Sequence, residues 1–181
     1  MDENQEIQLI QRAQRGDGRA FGKLALEYQR VLFNLALRMT RNREDARDLT
    51  QAVFLKAYRG LAGFDTGRRF YSWLYRIMLN ESLNFLGTRR EQVPVAENLA
   101  DVQRSPEDDY LNSVIQQTIQ TALEELNPDQ RQIIILRHFL HLSYEEMGEV
   151  LEIPAKTVKS RLFTARQSLA PILQRLGAHP A

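Results

Sequence analysis

The sequence predicts an all-α protein built as two small helical domains joined by a flexible linker. Three observations predict it. Apolar residues recur at three- and four-residue steps through most of the 181 residues, and few runs alternate as strands would. Capping and breaking residues stand where each periodic run starts or stops. Between 92 and 106 the periodicity stops, and Pro94, Pro106 and several acids replace it. A stretch of that composition reads as an exposed linker. The expected division is a first domain over 1–91, the linker over 92–106, and a second domain over 107–181.

In the first domain, Ile7, Leu9, Ile10 and Ala13 mark a first helix that ends near Gly16, Asp17 and Gly18. A longer helix follows, carrying Phe21, Leu24, Ala25, Tyr28, Leu32, Leu35, Ala36 and Met39. Thr40, Arg41 and Asn42 break it. Asn42 can cap the third helix, where Glu44 and Asp45 suit the positive end of the helix dipole. Ala46, Leu49, Val53, Ala57 and Leu61 form its apolar stripe, and Gly60 and Gly63 end it. The fourth helix is expected over about 69–89, with Phe70, Trp73, Leu74, Ile77, Leu83 and Leu86 on its apolar side.

The second domain opens at Ser105, Pro106 and Glu107 with a helix in which Tyr110, Val114, Ile115, Thr118, Ile119 and Leu123 recur. Asn127 and Pro128 start the next. The stretch 142–169, LSYEEMGEVLEIPAKTVKSRLFTARQSL, is the most informative of the chain. Ser143 with Glu146 three places later makes a capping box. Tyr144, Met147, Val150 and Leu151 mark the buried face of a short helix. Gly148 lies inside it, at a cost of about 1 kcal/mol relative to Ala, which close approach of the following helix would explain. Pro154 sets the turn and disfavours helix at Ile153. Val158, Leu162, Ala165 and Leu169 form the stripe of the last helix.

Lys156, Lys159, Arg161 and Arg166 lie largely off that stripe, and Thr157, Ser160 and Thr164 add short donors and acceptors. No acid occurs from Ile153 onward. Two helices joined by a Pro turn, the second basic, outline a helix-turn-helix whose second helix meets phosphates and base edges in the major groove. The competing reading is a solvated C-terminal helix; the capped partner helix and the turn favour DNA.

Charge distribution separates the chain further. The formal net charge is only +1, so global charge does not point to nucleic acid. Locally, 68–90 carries five Arg against Glu81, and 91–109 carries six acids against Arg104. The segment 64–90, FDTGRRFYSWLYRIMLNESLNFLGTRR, interleaves aromatics with Arg68, Arg69, Arg76, Arg89 and Arg90. Most of its aromatics are expected in the core, but a basic, aromatic-rich helix beside a loop suits single-stranded nucleic acid. Asn80 and Asn84, one turn apart, can hydrogen-bond an exposed base edge.

Other chemistries find little support. There is no cysteine, which excludes disulfides and thiolate metal sites and fits a reducing cytoplasm. No apolar leader or membrane-length apolar run is present, so a cytoplasmic protein without membrane insertion is expected. His138 and His141 stand near Glu145, Glu146 and Glu149, but three histidines in all and the capping roles of these acids argue against a metal site. There is no nucleophile–base constellation and no phosphate-binding glycine loop. A four-helix carboxylate enzyme would need inward-facing Glu-x-x-His pairs, which are absent. No catalytic residue, metal or cofactor is expected.

At this point the pattern resembles a family. DARDLTQAVFLKAYRGLAGF from Asp45, followed by FYSWLYRIMLN from Phe70, resembles region two of bacterial RNA polymerase sigma factors. The helix-turn-helix and the segment before it resemble region four. The two-domain layout is similar to the extracytoplasmic-function (ECF) group.

The resemblance implies binding to core RNA polymerase, through the β′ clamp helices and the β flap, and direction of the enzyme to specific promoters. It implies that Asp45, Asp48, Leu49, Gln51, Phe54 and Lys56 dock on polymerase. Asn80, with Arg76, Asn84, Arg89, Arg90 and a loop near 84–90, would take an unstacked base of the minus-ten element, which costs a few kcal/mol of unstacking. Lys156, Thr157, Lys159, Ser160, Arg161, Thr164 and Arg166 would face the minus-thirty-five element, Arg166 through phosphate. An anti-sigma partner is also implied. Arg47 and Ala52 stand where acids are common, and Thr164 where a basic residue is frequent. The alternative reading is a free-standing dimeric helix-turn-helix regulator, which leaves 45–80 without a role.

Overall fold

The chain is described by a computed structural model covering residues 1–92 and 108–177, without the side chains of 89–92 and 108–113. Eight α-helices and one 3-10 turn account for the ordered elements among the described residues, and no strand is found there. The chain divides into two compact units, Met1–Phe85 and Leu86–Ala181. Of the linker expected over 92–106, residues 93–106 lie outside the described residues.

The first unit begins with α1 (Glu3–Gln14), capped by Asp2, and α2 (Gly18–Thr40), capped by Asp17. Asp17 accepts from the amides of Arg19 and Ala20 and from the Arg12 guanidinium at 2.6 Å. The Arg12 bond comes first in holding its carboxyl below the usual carboxylate range. Arg41 ends α2 in the left-handed region at φ 58°. Asn42 then caps α3 (Arg43–Gly60) by accepting from Glu44 and Asp45. A 3-10 turn, Leu61–Gly63, leads to the loop before α4 (Phe70–Gln92).

The core of this unit is the stripe read from the sequence. Leu24, Leu32, Leu35 and Met39 of α2 pack with Ala46, Leu49, Val53 and Ala57 of α3, and all are buried. Burying a Leu or Val side chain stabilises by about 1.5–3 kcal/mol relative to exposure. Phe64 and Phe70 join this core edge to face, with Tyr28 against Phe70. The Gln14 amide ties α1 to the turn by donating to the carbonyls of Leu61 and Phe64.

Two expectations need correction here. The region 84–90 is not a loop: α4 runs unbroken to Gln92, because no proline precedes Pro94 and Gly87 alone costs only about 1 kcal/mol. For the same reason Gln92, expected to open the linker, is helical.

The second unit holds α5 (Asp108–Glu125), α6 (Pro128–His138), α7 (Tyr144–Leu151) and α8 (Ala155–Arg175). Asn127 caps α6, and Ser143 with Glu146 forms the capping box of α7. Ile133 to Leu136, Leu123, Met147, Val150, Val158 and Leu162 make the core.

Arg131 is 7% exposed inside it. Its guanidinium donates to the carbonyls of Leu123 and Glu124 at 2.9 Å. It thereby satisfies the open carbonyl end of α5. The stripe expected on α5 is buried only at its C-terminal end. Leu123 is buried, whereas Val114 and Ile115 are exposed, and the side chain of Tyr110 lies outside the described residues.

Candidate nucleic-acid and partner interfaces

The helix-turn-helix is held by contacts that fix the angle of its turn. Gly148 is where the chain passes closest. A Cβ on it would lie 2.7 Å from the Ile153 carbonyl oxygen and 3.6 Å from the Ala155 amide nitrogen. The Ile153 amide bonds back to the Gly148 carbonyl at 3.1 Å. Glu152 closes α7 in the left-handed region at φ 55°. Before α7, Arg137 donates to the Leu142 carbonyl at 2.7 Å and lies over the Tyr144 ring.

On α8, Val158, Leu162 and Ala165 are buried, with Leu169 half-buried. Lys156, Lys159, Ser160, Arg161, Thr164 and Arg166 are exposed and Thr157 is half-buried. The Thr164 hydroxyl donates to the Ser160 carbonyl of its own helix. Arg166 points back to His138 at the end of α6, with Nη2 3.3 Å from Nε2. Phe163 is absent from the sequence-based set, yet it stands 62% exposed among these polar groups. Its signal is there: an aromatic residue off the 158/162/165 stripe. An exposed aromatic ring on such a face can meet a thymine methyl group.

On α4, Asn80 and Asn84 are exposed one turn apart and Arg76 is half-buried. The side chains of Arg89 and Arg90 lie outside the described residues. Phe64, Phe70 and Tyr75 are buried, as expected of core aromatics, and Trp73 is half-buried against Phe64 at 4.9 Å. Burial pushes the Tyr75 phenol up to about 12. The loop beside this helix is the one before it, around Asp65 to Arg69, where Arg68 and Arg69 are exposed.

On α3, Asp48 and Gln51 are exposed and Asp45 and Phe54 are half-buried. Phe54 meets Phe21 edge on at 6.4 Å. Leu49 is only 8% exposed; its side chain is spent in the core, leaving little of it for a partner. Lys56 is exposed, but its ammonium is paired with Glu81 at 2.5 Å. The helix instead presents Leu55, 59% exposed, and Tyr58. Steps of three, four and three residues from Asp48 through Gln51 and Leu55 to Tyr58 put all four on one face. Leu55 is apolar and off the buried stripe, the same signal as Phe163.

Among the described residues no three His, Cys, Asp or Glu side chains gather as a metal site. No helix there is long and apolar enough to cross a membrane.

Comparison with known proteins gives these faces a family. The Sigma-70 region 2 family matches 24–92, and the Sigma-70, region 4 family matches 116–169. The RNA polymerase sigma-H factor of Pseudomonas aeruginosa is 38% identical over 97% of this chain and 97% of its own. The chain belongs to the sigma-70 family of sigma factors.

Within it, this sigma factor falls in the ECF group. The ECF RNA polymerase sigma-E factor of Escherichia coli is 35% identical over 93% of this chain and 94% of its own. Among solved structures, CnrH in complex with the cytosolic domain of CnrY superposes with a TM-score of 0.74 at 26% identity, covering 94% of this chain and 98% of that one. The sigma factor RpoE in complex with the anti-sigma factor NepR from Bartonella quintana gives 0.68 at 27% identity, covering 85% and 96%. The acid-free face of α8 falls in the region 4 match. The exposed faces of α3 and α4 fall in the region 2 match.

Proposed function

We propose that this sigma factor binds core RNA polymerase through the exposed face of α3 and reads promoter DNA with α4 and α8. The single observation that carries the reading is the order of the two family regions, over 24–92 and 116–169. Region 2 precedes region 4, and each has its own exposed face.

On α3 the docking surface is Asp48, Gln51, Leu55 and Tyr58, flanked by Asp45 and Phe54 and aimed at the β′ clamp helices. Leu49 supports that surface from beneath, and Lys56 contributes through its pair with Glu81. On α4, Asn80 and Asn84, with Arg76, Arg89 and Arg90, receive the minus-ten element. On α8, Lys156, Thr157, Lys159, Ser160, Arg161, Phe163 and Thr164 face the minus-thirty-five element and Arg166 meets phosphate. The second unit also meets the β flap.

The segment 92–106, helical at Gln92, acts as the linker between domains 1–91 and 107–181. The protein works in the cytoplasm as a non-catalytic specificity subunit, and an anti-sigma factor binds it; the solved RpoE complex, with the anti-sigma factor NepR, supports this. A free-standing dimeric regulator is disfavoured, because it gives the α3 face no use.

The test is transcription by purified core polymerase on fragmented genomic DNA, with mapping of 5′ ends. New start sites that need this chain, preceded by shared minus-ten and minus-thirty-five sequences, are expected. Identical start sites with and without it contradict the proposal.

A further inference from the structure

Among the described residues, two guanidinium groups of α8 are held by other elements: Arg175 by Glu125 of α5 and, within the exposed polar face, Arg166 by His138 of α6. The Arg166 Nη2 lies 3.3 Å from the His138 Nε2. Arginine can only donate, so the ring nitrogen must be the acceptor. His138 is therefore neutral in this arrangement, with its proton on Nδ1. The pair joins the end of α6 to the outer flank of α8.

The groups that act electrostatically on His138 are Arg166 from α8, Arg137 beside it on α6, and His141 from the turn before α7. Arg137 is fixed by its bond to the Leu142 carbonyl, so its charge cannot swing away. Desolvation, then these neighbours, push the imidazole below its ordinary value. Such a place is unfavourable for one more proton until an anion arrives.

We propose that His138 is a positioning residue for Arg166, and that it takes up a proton and becomes a second phosphate ligand when DNA binds. In the free protein the neutral ring holds one guanidinium N–H and leaves the others pointing outward for a phosphate. When a phosphate seats between the two side chains, its charge offsets the repulsion among the cations. A proton from solvent then converts Nε2 from acceptor to donor. This step rests on the reading of α8 as a DNA-binding helix. It adds proton uptake to DNA binding, so affinity rises as pH falls. Each unit by which DNA raises the His138 pKa corresponds to about a tenfold gain between the two pH limits.

A phosphate contact is independent of base sequence, so the promoter need not be known for the test. The full chain, with labelled histidine rings and backbone amides, is titrated with acid by NMR. The titration is done alone and with an arbitrary duplex of about 12 base pairs at low salt, where weak binding is read directly. The expected result is a His138 pKa at least about one unit higher with the duplex, together with shifted amides at Lys159, Ser160 and Arg161.

In Arg166→Gln, the His138 pKa should rise in the free protein and respond less to the duplex. His138→Gln keeps an acceptor for Arg166 and removes the titration. Its duplex affinity should stay flat on acidification, where that of the parent rises.

If the amides of 159–161 move while His138 titrates identically with and without duplex, the proposal is overturned and the reading of α8 stands. If neither responds, both are overturned.

Discussion

Replacing Gly148 by Ala should destabilise the second unit, although helix propensity alone predicts the reverse. Gly148 lies inside α7, where Ala is favoured by about 1 kcal/mol. Against this, the new Cβ would sit 2.7 Å from the Ile153 carbonyl oxygen, well inside van der Waals contact. That oxygen belongs to backbone, and its residue is tied to the Gly148 carbonyl through the Ile153 amide. Relief therefore requires opening the turn or shifting the start of α8. Overpacking of this kind costs about 1–3 kcal/mol and occasionally more. The net expectation is a loss of up to about 2 kcal/mol. Native-state hydrogen exchange at the amides of Val158, Leu162 and Ala165 reads this directly, because these residues are buried in the core that α7 and α8 share. Protection should fall by up to about thirtyfold. Unchanged or increased protection would refute the close approach of the turn to α7.

Other expectations follow from single features. Arg131→Met should cost about 1–3 kcal/mol per carbonyl left buried without a donor, read as lost protection in α5; an unchanged α5 would contradict the capping role. His141→Gly and Glu152→Gly relieve left-handed backbone at φ 55° and should each be neutral or stabilising by up to about 1 kcal/mol; destabilisation by either would show that its side chain matters more than its backbone. The pH dependence of stability has a definite sign at His138. Its folded pKa is below the unfolded value, so the unfolded chain binds the proton more readily. Stability is then full above about pH 6.5 and falls as pH drops through that value towards the folded pKa. In His138→Gln this part of the acid sensitivity should be absent from a denaturant titration series.

The helix ends are legible in the sequence because their chemistry is local. Asn42, Asn127 and Ser143 each bond to amides two or three residues ahead, and a reader of the sequence has all the atoms involved. The buried stripes of α3 and α8 are legible for the same reason. What escapes is long-range. Arg131 looks like a surface charge, because its carbonyl partners come from a different helix. Lys56 looks available to polymerase, but Glu81 holds it from 25 residues away. Leu49 carries two assignments, a place on the core stripe and a role in docking, and burial decides for the first. Leu55 and Phe163 are readable as apolar residues off a stripe, but the family resemblance points to other positions. Pro171 would ordinarily end a helix near Ala170, yet α8 continues to Arg175. Gln167, whose carbonyl loses its partner there, is exposed and open to water.

The central claim is that one face grips polymerase and another reads the promoter. Run-off transcription from a promoter found by start-site mapping, measured against the concentration of this chain at fixed core polymerase, separates them. Leu55→Asp should shift the half-saturating concentration upward by about tenfold or more, as burying a lone carboxylate in an apolar contact requires, with the plateau preserved. Lys159→Ala with Arg161→Ala should leave the half-saturating concentration in place and lower the plateau, because each side chain bonded to a base edge contributes about 1–3 kcal/mol. Both variants moving the same parameter, or neither moving any, would contradict the division of labour between α3 and α8.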